Sequence, residues 1–196
     1  MRLWIGLALL LLAFGLVSMW HERAEHWPPG VLVADAPQQH PLSDARAFAH
    51  GKVMLMPRAQ FELSARVLAR EDYHFDRLAR LVPTDLALGW GPMSDSAVLK
   101  QINISQSHRF YHWRVAHFPI SRRAIETHSA NMHLIPASED VAKELADVRV
   151  GQVVHIEGEL VDARIDGGLL RTSLSRNDTG AGACEVIYVR ALRIER

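Results

Sequence analysis

The chain is short of most features that would declare a chemistry. It has one cysteine, Cys184, so no disulfide can form within it and the fold must hold by packing. Neither charge is in excess: Lys+Arg and Asp+Glu each number 22, and the pI is about 7.2. A neutral chain lacks the basic footprint that a phosphate backbone demands, so nucleic acid is not an expected partner. There is no Gly-rich phosphate loop with its lysine, no internal repeat and no low-complexity tract.

Beyond residue 20 there is no long apolar run either, which sets off the one that precedes it. Leu3 to Trp20 carries no charged residue and follows only Met1 and Arg2. As a helix it reaches about 27 Å at ~1.5 Å per residue, near the ~30 Å core of a bilayer. It is too long for the apolar stretch of a signal peptide, and Val17-Ser18-Met19-Trp20 lacks the small residues of a cleavage site. The expectation is an uncleaved transmembrane anchor at 1–20 and a short stalk at 21–29. One soluble domain at 30–196 follows, with its β-rich part at 149–196. Arg2 precedes the span, while Glu22 and Glu25 outweigh Arg23 after it. The positive flank stays inside, so the domain faces outward. In a bacterium with two membranes that means an inner-membrane, single-pass protein with its C-terminal domain in the periplasm.

Within the domain, Gly30 to Ala34 reads as a first strand and Val53 to Met56 as an apolar run closed by Pro57. Phe61 to Tyr73 fits both alternation and a helical face, and the length of the alternation favours strand. Arg77 to Trp90, broken by Pro83 and Gly89-Trp90-Gly91-Pro92, leaves little room for a long element. Ser94-Asp95-Ser96 opens a short helix through Gln101, and Pro136-Ala137-Ser138 opens another with Val141, Leu145 and Val148 on its buried face. Arg109 to Val115 is a strand, with Tyr111, Trp113 and Val115 on one face and Phe110, His112 and Arg114 on the other. After residue 149, Val154, Ile156, Gly158 and Leu160 alternate. Asp166-Gly167-Gly168 signals a hairpin, Leu169 to Ser175 a return strand and Glu185 to Ile194 a closing strand. The fold class is α+β: an N-terminal transmembrane helix, then a mainly antiparallel β domain with short helices. Two arrangements stay open for its C-terminal end, a small barrel of the oligonucleotide/oligosaccharide-binding type and another antiparallel α+β packing.

Three strings, Leu86 to Asp95, His128 to Pro136 and Ser173 to Glu185, together resemble a family of uncharacterised bacterial proteins with one membrane anchor. The resemblance implies a bacterial, membrane-anchored, single-domain protein. It carries no activity, cofactor or catalytic residue.

The candidate chemistry is thin. His128 and His133 are five apart, a spacing that puts them on opposite faces of a strand, so only a loop lets both reach one metal, and zinc needs a further ligand. The plainer reading is two histidines hydrogen-bonding an irregular segment. Cys184 with either histidine makes a thiolate–imidazole pair, though a lone cysteine entering a strand more often packs as a small core residue. Asp85 and Asp95 flank Trp90 as glycosidase carboxylates do, yet Asp95 also suits a helix cap. Phe110, His112 and Arg114 form an exposed aromatic-basic strip able to meet a partner. Arg176 and Thr179 lie in a glycine-containing loop whose N–H groups suit an anion. No catalytic set emerges, so the expectation is a non-enzymatic periplasmic binding or assembly module without a cofactor, its partner an envelope protein or glycan. The alternative is an envelope-acting hydrolase drawing on His128, His133, Asp95 or Cys184, or a metal-binding domain using His128 and His133.

Overall fold

The computed structural model describes residues 24–165 and 168–195. The expected anchor at 3–20, the first stalk residues, and Asp166 and Gly167 of the hairpin signal lie outside the described residues. Among the described residues no helix is long and apolar enough to cross a membrane.

The domain is mostly β-sheet with a few short helices, as the α+β reading requires. Its strands are β1 (Gln38–Pro41), β2 (Phe48–His50), β3 (Val53–Asp72), β4 (Thr84–Gly89), β5 (Ile102–Ser107), β6 (Phe110–Val115), β7 (Ser129–Pro136), β8 (Val153–Ile165), β9 (Gly168–Leu170) and β10 (Glu185–Ile194). The helices are α1 (Ser96–Leu99), α2 (Arg122–Thr127) and α3 (Glu139–Asp147). Five strands close on themselves in the order β3–β4–β7–β10–β8, with β8 returning to β3. Every neighbouring pair is antiparallel except β7 and β10, which run parallel. β1, β2 and β9 extend this sheet, while β5 and β6 form a separate hairpin. The β structure therefore begins well before residue 149.

Closure leaves one enclosed core. Phe61, Leu63 and Ala65 of β3 meet Leu86, Leu88, Met132, Leu134, Ile156, Leu160, Ile187 and Val189 from the other four strands. The helix α3 starts where the sequence placed it, capped by Ser138, and adds Val141, Leu145 and Val148 to that core. Arg70 binds its last carbonyls, Leu145 O at 2.6 Å and Val148 O at 2.7 Å, where a cation complements the helix end. At Gly158 a Cβ would come within 2.1 Å of Tyr188 O, so only glycine lets β8 cross β10 this closely.

Several local expectations change. Phe61 to Tyr73 is strand through Asp72, because β4 and β8 each pair with part of β3. Pro57 does not end that strand; it sits at a register shift against β8, where a missing N–H is tolerated. Residues 84–89, read as a break, form β4, and 129–136, read as irregular, form β7. Both strands are buried on both faces and so show no alternation. Gly30 to Ala34 is not a strand but an irregular arm with Val33 buried, and the return strand after the hairpin stops at Leu170.

Candidate functional site

The pairing of β4 with β7 sets Asp85 directly opposite His133, and Asn131 shares their face two residues away. The parallel pairing of β10 with β7 starts at Glu185 against Met132, which leaves Cys184 beside Asn131. Topology alone thus gathers Asp85, Asn131, His133 and Cys184 from three distant stretches of chain.

Asp85 is fully buried and His133 nearly so, with Nδ1 of His133 2.8 Å from Oδ1 of Asp85. This is an ion-pair contact by distance; Nδ1 makes no well-aligned hydrogen bond, and Oδ2 of Asp85 has no partner. Cys184 is the other group close enough to act on the imidazole. Burial alone would depress its pKa, but Asp85 and Cys184 outweigh burial and push it up to about 9. The Asn131 amide donates to the Arg109 carbonyl at 3.0 Å and reaches the Cys184 sulfur at 3.8 Å. The thiol in turn points to the same carbonyl at 3.9 Å.

Arg109 locks this assembly under the tip of the β5–β6 hairpin. Its guanidinium contacts Asp76 twice at 2.8 Å, Val82 O at 2.9 Å and Asp85 at 3.1 Å, and stacks 3.6 Å over the Tyr73 ring. Its N–H donates to the Tyr73 hydroxyl at 3.0 Å. Burial, then the Asp85 charge, push the Tyr73 hydroxyl up to about 12. The Arg109 hydrogen bonds hold Asp76 below the usual carboxylate range.

A cleft of about 960 Å³ opens above Cys184 between β6, α2 and the loop at 175–184. Phe110, His112, Arg114, Arg176 and Thr179 all line it, as do Asn131, Cys184 and Glu185. Cys184 is half-buried there. Arg176 and Glu185 form a buried pair at 2.7 Å, with Arg176 packed 5.2 Å over Phe61. Burial raises Glu185 to about 7 despite Arg176, and burial lowers Arg176. One oxygen of Glu185 is left without a partner.

The wall formed by β6 is a bare sheet edge, since among the described residues β6 pairs with β5 alone. The two-residue turn His108-Arg109 has φ of 53° and 70°, the left-handed values of a tight hairpin. It makes Ser107 and Phe110 the first hydrogen-bonded pair, so the N–H and C=O groups of Tyr111, Trp113 and Val115 point away from β5. The side chains of these residues pack inward, and those of Phe110, His112 and Arg114 stay exposed.

The other candidates fall elsewhere. His128 follows α2, its Nδ1 2.9 Å from Ala124 O, and does not join His133. Among the described residues no three His, Cys, Asp or Glu side chains are grouped to hold a metal ion. Asp95 caps α1, accepting from Ala97 N at 2.7 Å and from Gly30 N at 2.9 Å. Asp85 is buried within β4, Asp95 lies past the strand's far end at the cap of α1, and Trp90 between them is buried, so they flank no sugar cleft. Sequence reasoning saw Cys184 and His133 but not Asp85, Asn131 or Arg109 as their neighbours. The one signal was a lone carboxylate, Asp85, inside the otherwise uncharged stretch Leu81 to Trp90.

No family model, curated protein or solved structure matches the chain.

Proposed function

We propose that this chain is a membrane-tethered binding module of the bacterial envelope, whose cleft takes an extended segment of a partner protein. The unpaired edge of β6 carries the reading. A strand of partner added there would find the free backbone groups of Tyr111, Trp113 and Val115, and the exposed side chains Phe110, His112 and Arg114 would select it. A bare edge is a liability unless something covers it, which favours a peptide over a glycan. The barrel supports the same reading. Its strand order, with one parallel pair and a helix between the third and fourth strands, fits the oligonucleotide/oligosaccharide-binding type, and the cleft is lined by the third strand and by the loop before the fifth, one of the loops with which that type binds. The anchor at 3–20 would hold the module near membrane partners and raise the effective concentration of a weak binder.

The test places a photo-crosslinking amino acid at His112 in the full-length protein and irradiates intact cells. A defined protein adduct that is lost from a chain lacking residues 1–20 is the expected result. Absence of any protein adduct, or an adduct to glycan alone, would overturn the reading.

A further inference from the structure

The geometry points to Cys184 as a nucleophile toward carbonyl carbon, with His133 as its proton acceptor and donor and Asp85 as the residue that positions His133. The observations are spatial. Cys184 lines the cleft beside Asn131, His133 lies two residues along β7 on the face of Asn131 and is nearly buried, and Asp85 contacts His133 with no exposure. That is the order a relay needs, with the reacting atom on the open side and its partners shielded from water.

A thiol that merely packs needs none of this. Cys184 belongs to none of the apolar clusters of the core. Around it the fold buries a carboxylate, an imidazole and a guanidinium, a group that apolar residues of similar size would replace at no loss of stability. The Asp85 oxygen without a partner and the basic imidazole are perturbed in the manner of working sites. Asn131 supplies the remaining part. Its amide already reaches Sγ, so a ligand oxygen attached to a carbon bonded to Sγ would come within its reach.

The substrate class is an ester, thioester or amide presented in the cleft. The reacting form is a thiolate–imidazolium pair, with the thiol proton already on His133; Sγ bonds the carbonyl carbon, and the carbonyl electron pair moves onto oxygen beside Asn131. Collapse breaks the bond to the leaving group, which departs with the proton from His133 and leaves an acyl thioester on Cys184. Water then attacks the acyl carbon and gives a proton to His133. The C–S bond breaks, the carboxylic acid leaves, and the thiolate–imidazolium pair is restored. No oxidant, metal or cofactor enters the balance.

The experiment does not depend on what occupies the cleft, so its failure is separate from that of the binding reading. Full-length protein in mild detergent is treated with iodoacetamide and followed by intact mass. Cys184 should alkylate at least ~10-fold faster than glutathione at the same pH, and His133→Gln should abolish the excess while the thermal midpoint reports folding. With p-nitrophenyl acetate, an acetyl adduct should form on Cys184 and be absent from Cys184→Ser. Asp85→Asn should lower its turnover with little change in KM, which a purely structural role would not do. A wild-type alkylation rate at or below that of glutathione would overturn the inference by itself, even if the variants failed to fold.

Discussion

At the scale of single residues, His133 and Glu185 make stability depend on pH in one direction. His133 titrates near 9 in the fold against an ordinary value of 6.5, so the folded state keeps a proton that the unfolded chain has released. Its contribution is fully present below 6.5 and is lost as pH rises through 9. Glu185, raised from 4.5 to about 7, behaves alike: the folded state holds the extra proton between those values and gives it up above them. The two losses follow one another, whereas the depressed acids Asp72, Asp76 and Asp95 act only toward low pH. At ~1.4 kcal/mol per pKa unit, His133 alone accounts for on the order of 2–3 kcal/mol between pH 6 and 9. Urea midpoints across that range should fall for the wild type, and the fall above pH 7 should flatten in His133→Gln. A wild-type curve that is level or rises from pH 6 to 9 would show that the imidazole is not held in its charged form.

Among the elements, the β5–β6 hairpin depends on one side chain. Tyr111, Trp113 and Val115 pack beneath it with Ile102 and Ile125, but its tip is fastened by Arg109, which also partners the buried Asp85. Arg109→Ala removes that partner and should cost about 3–5 kcal/mol, with faster proteolysis at residues 102–117. Arg109→Gly removes the same contacts but suits a φ of 70°, so it should be milder than alanine by about 1 kcal/mol in denaturant unfolding. Equal losses in the two variants would mean that the turn carries no backbone strain. The hairpin also shows what the sequence made legible. β6 has one buried and one exposed face, so its alternation predicted both faces correctly, and α3 was readable from Ser138 and its apolar spacing. β4 and β7 are sheathed on both sides and carry no period, and they hold Asp85, Asn131 and His133. The site was hidden for the same reason. Its members meet through ladder pairings between strands that no local pattern announces, and a carboxylate in an uncharged stretch was the only trace.

Over the whole molecule, the arm at 24–33 is bound along the barrel rather than leaving it. Glu25 N donates to Val150 O at 2.8 Å, the Glu25 carboxylate accepts from Arg149 at 3.0 Å, and the Trp27 indole donates to Gly151 O at 2.9 Å. Farther on, Gly91 N donates to Val33 O at 2.7 Å, and the Ser94 hydroxyl accepts from Leu32 N and Val33 N. Of the residues expected to form the stalk, Glu25 and Trp27 are hydrogen-bonded to the domain. With residues 3–20 as the proposed anchor, the chain between Trp20 and Glu25 spans at most about 18 Å, so the barrel would be held close to the bilayer. Glu195 pairs with Val153 beside this arm, while Cys184 precedes the other end of β10, about 30 Å away at ~3.3 Å per residue. Gly151 is where this arrangement can be broken. Its φ is +90°, and a Cβ there would come within 2.0 Å of Glu25 O, a backbone atom that cannot yield without moving the arm. Gly151→Ala should cost about 2–4 kcal/mol, part from the left-handed backbone and part from displaced hydrogen bonds. In a chain starting at residue 35, already weaker because the arm is gone, the same substitution should cost only the backbone part, about 1–2 kcal/mol. The difference between the two penalties, read as a double-mutant cycle from urea unfolding, measures how firmly the arm holds the barrel. Equal penalties would mean that the arm hangs free of the barrel.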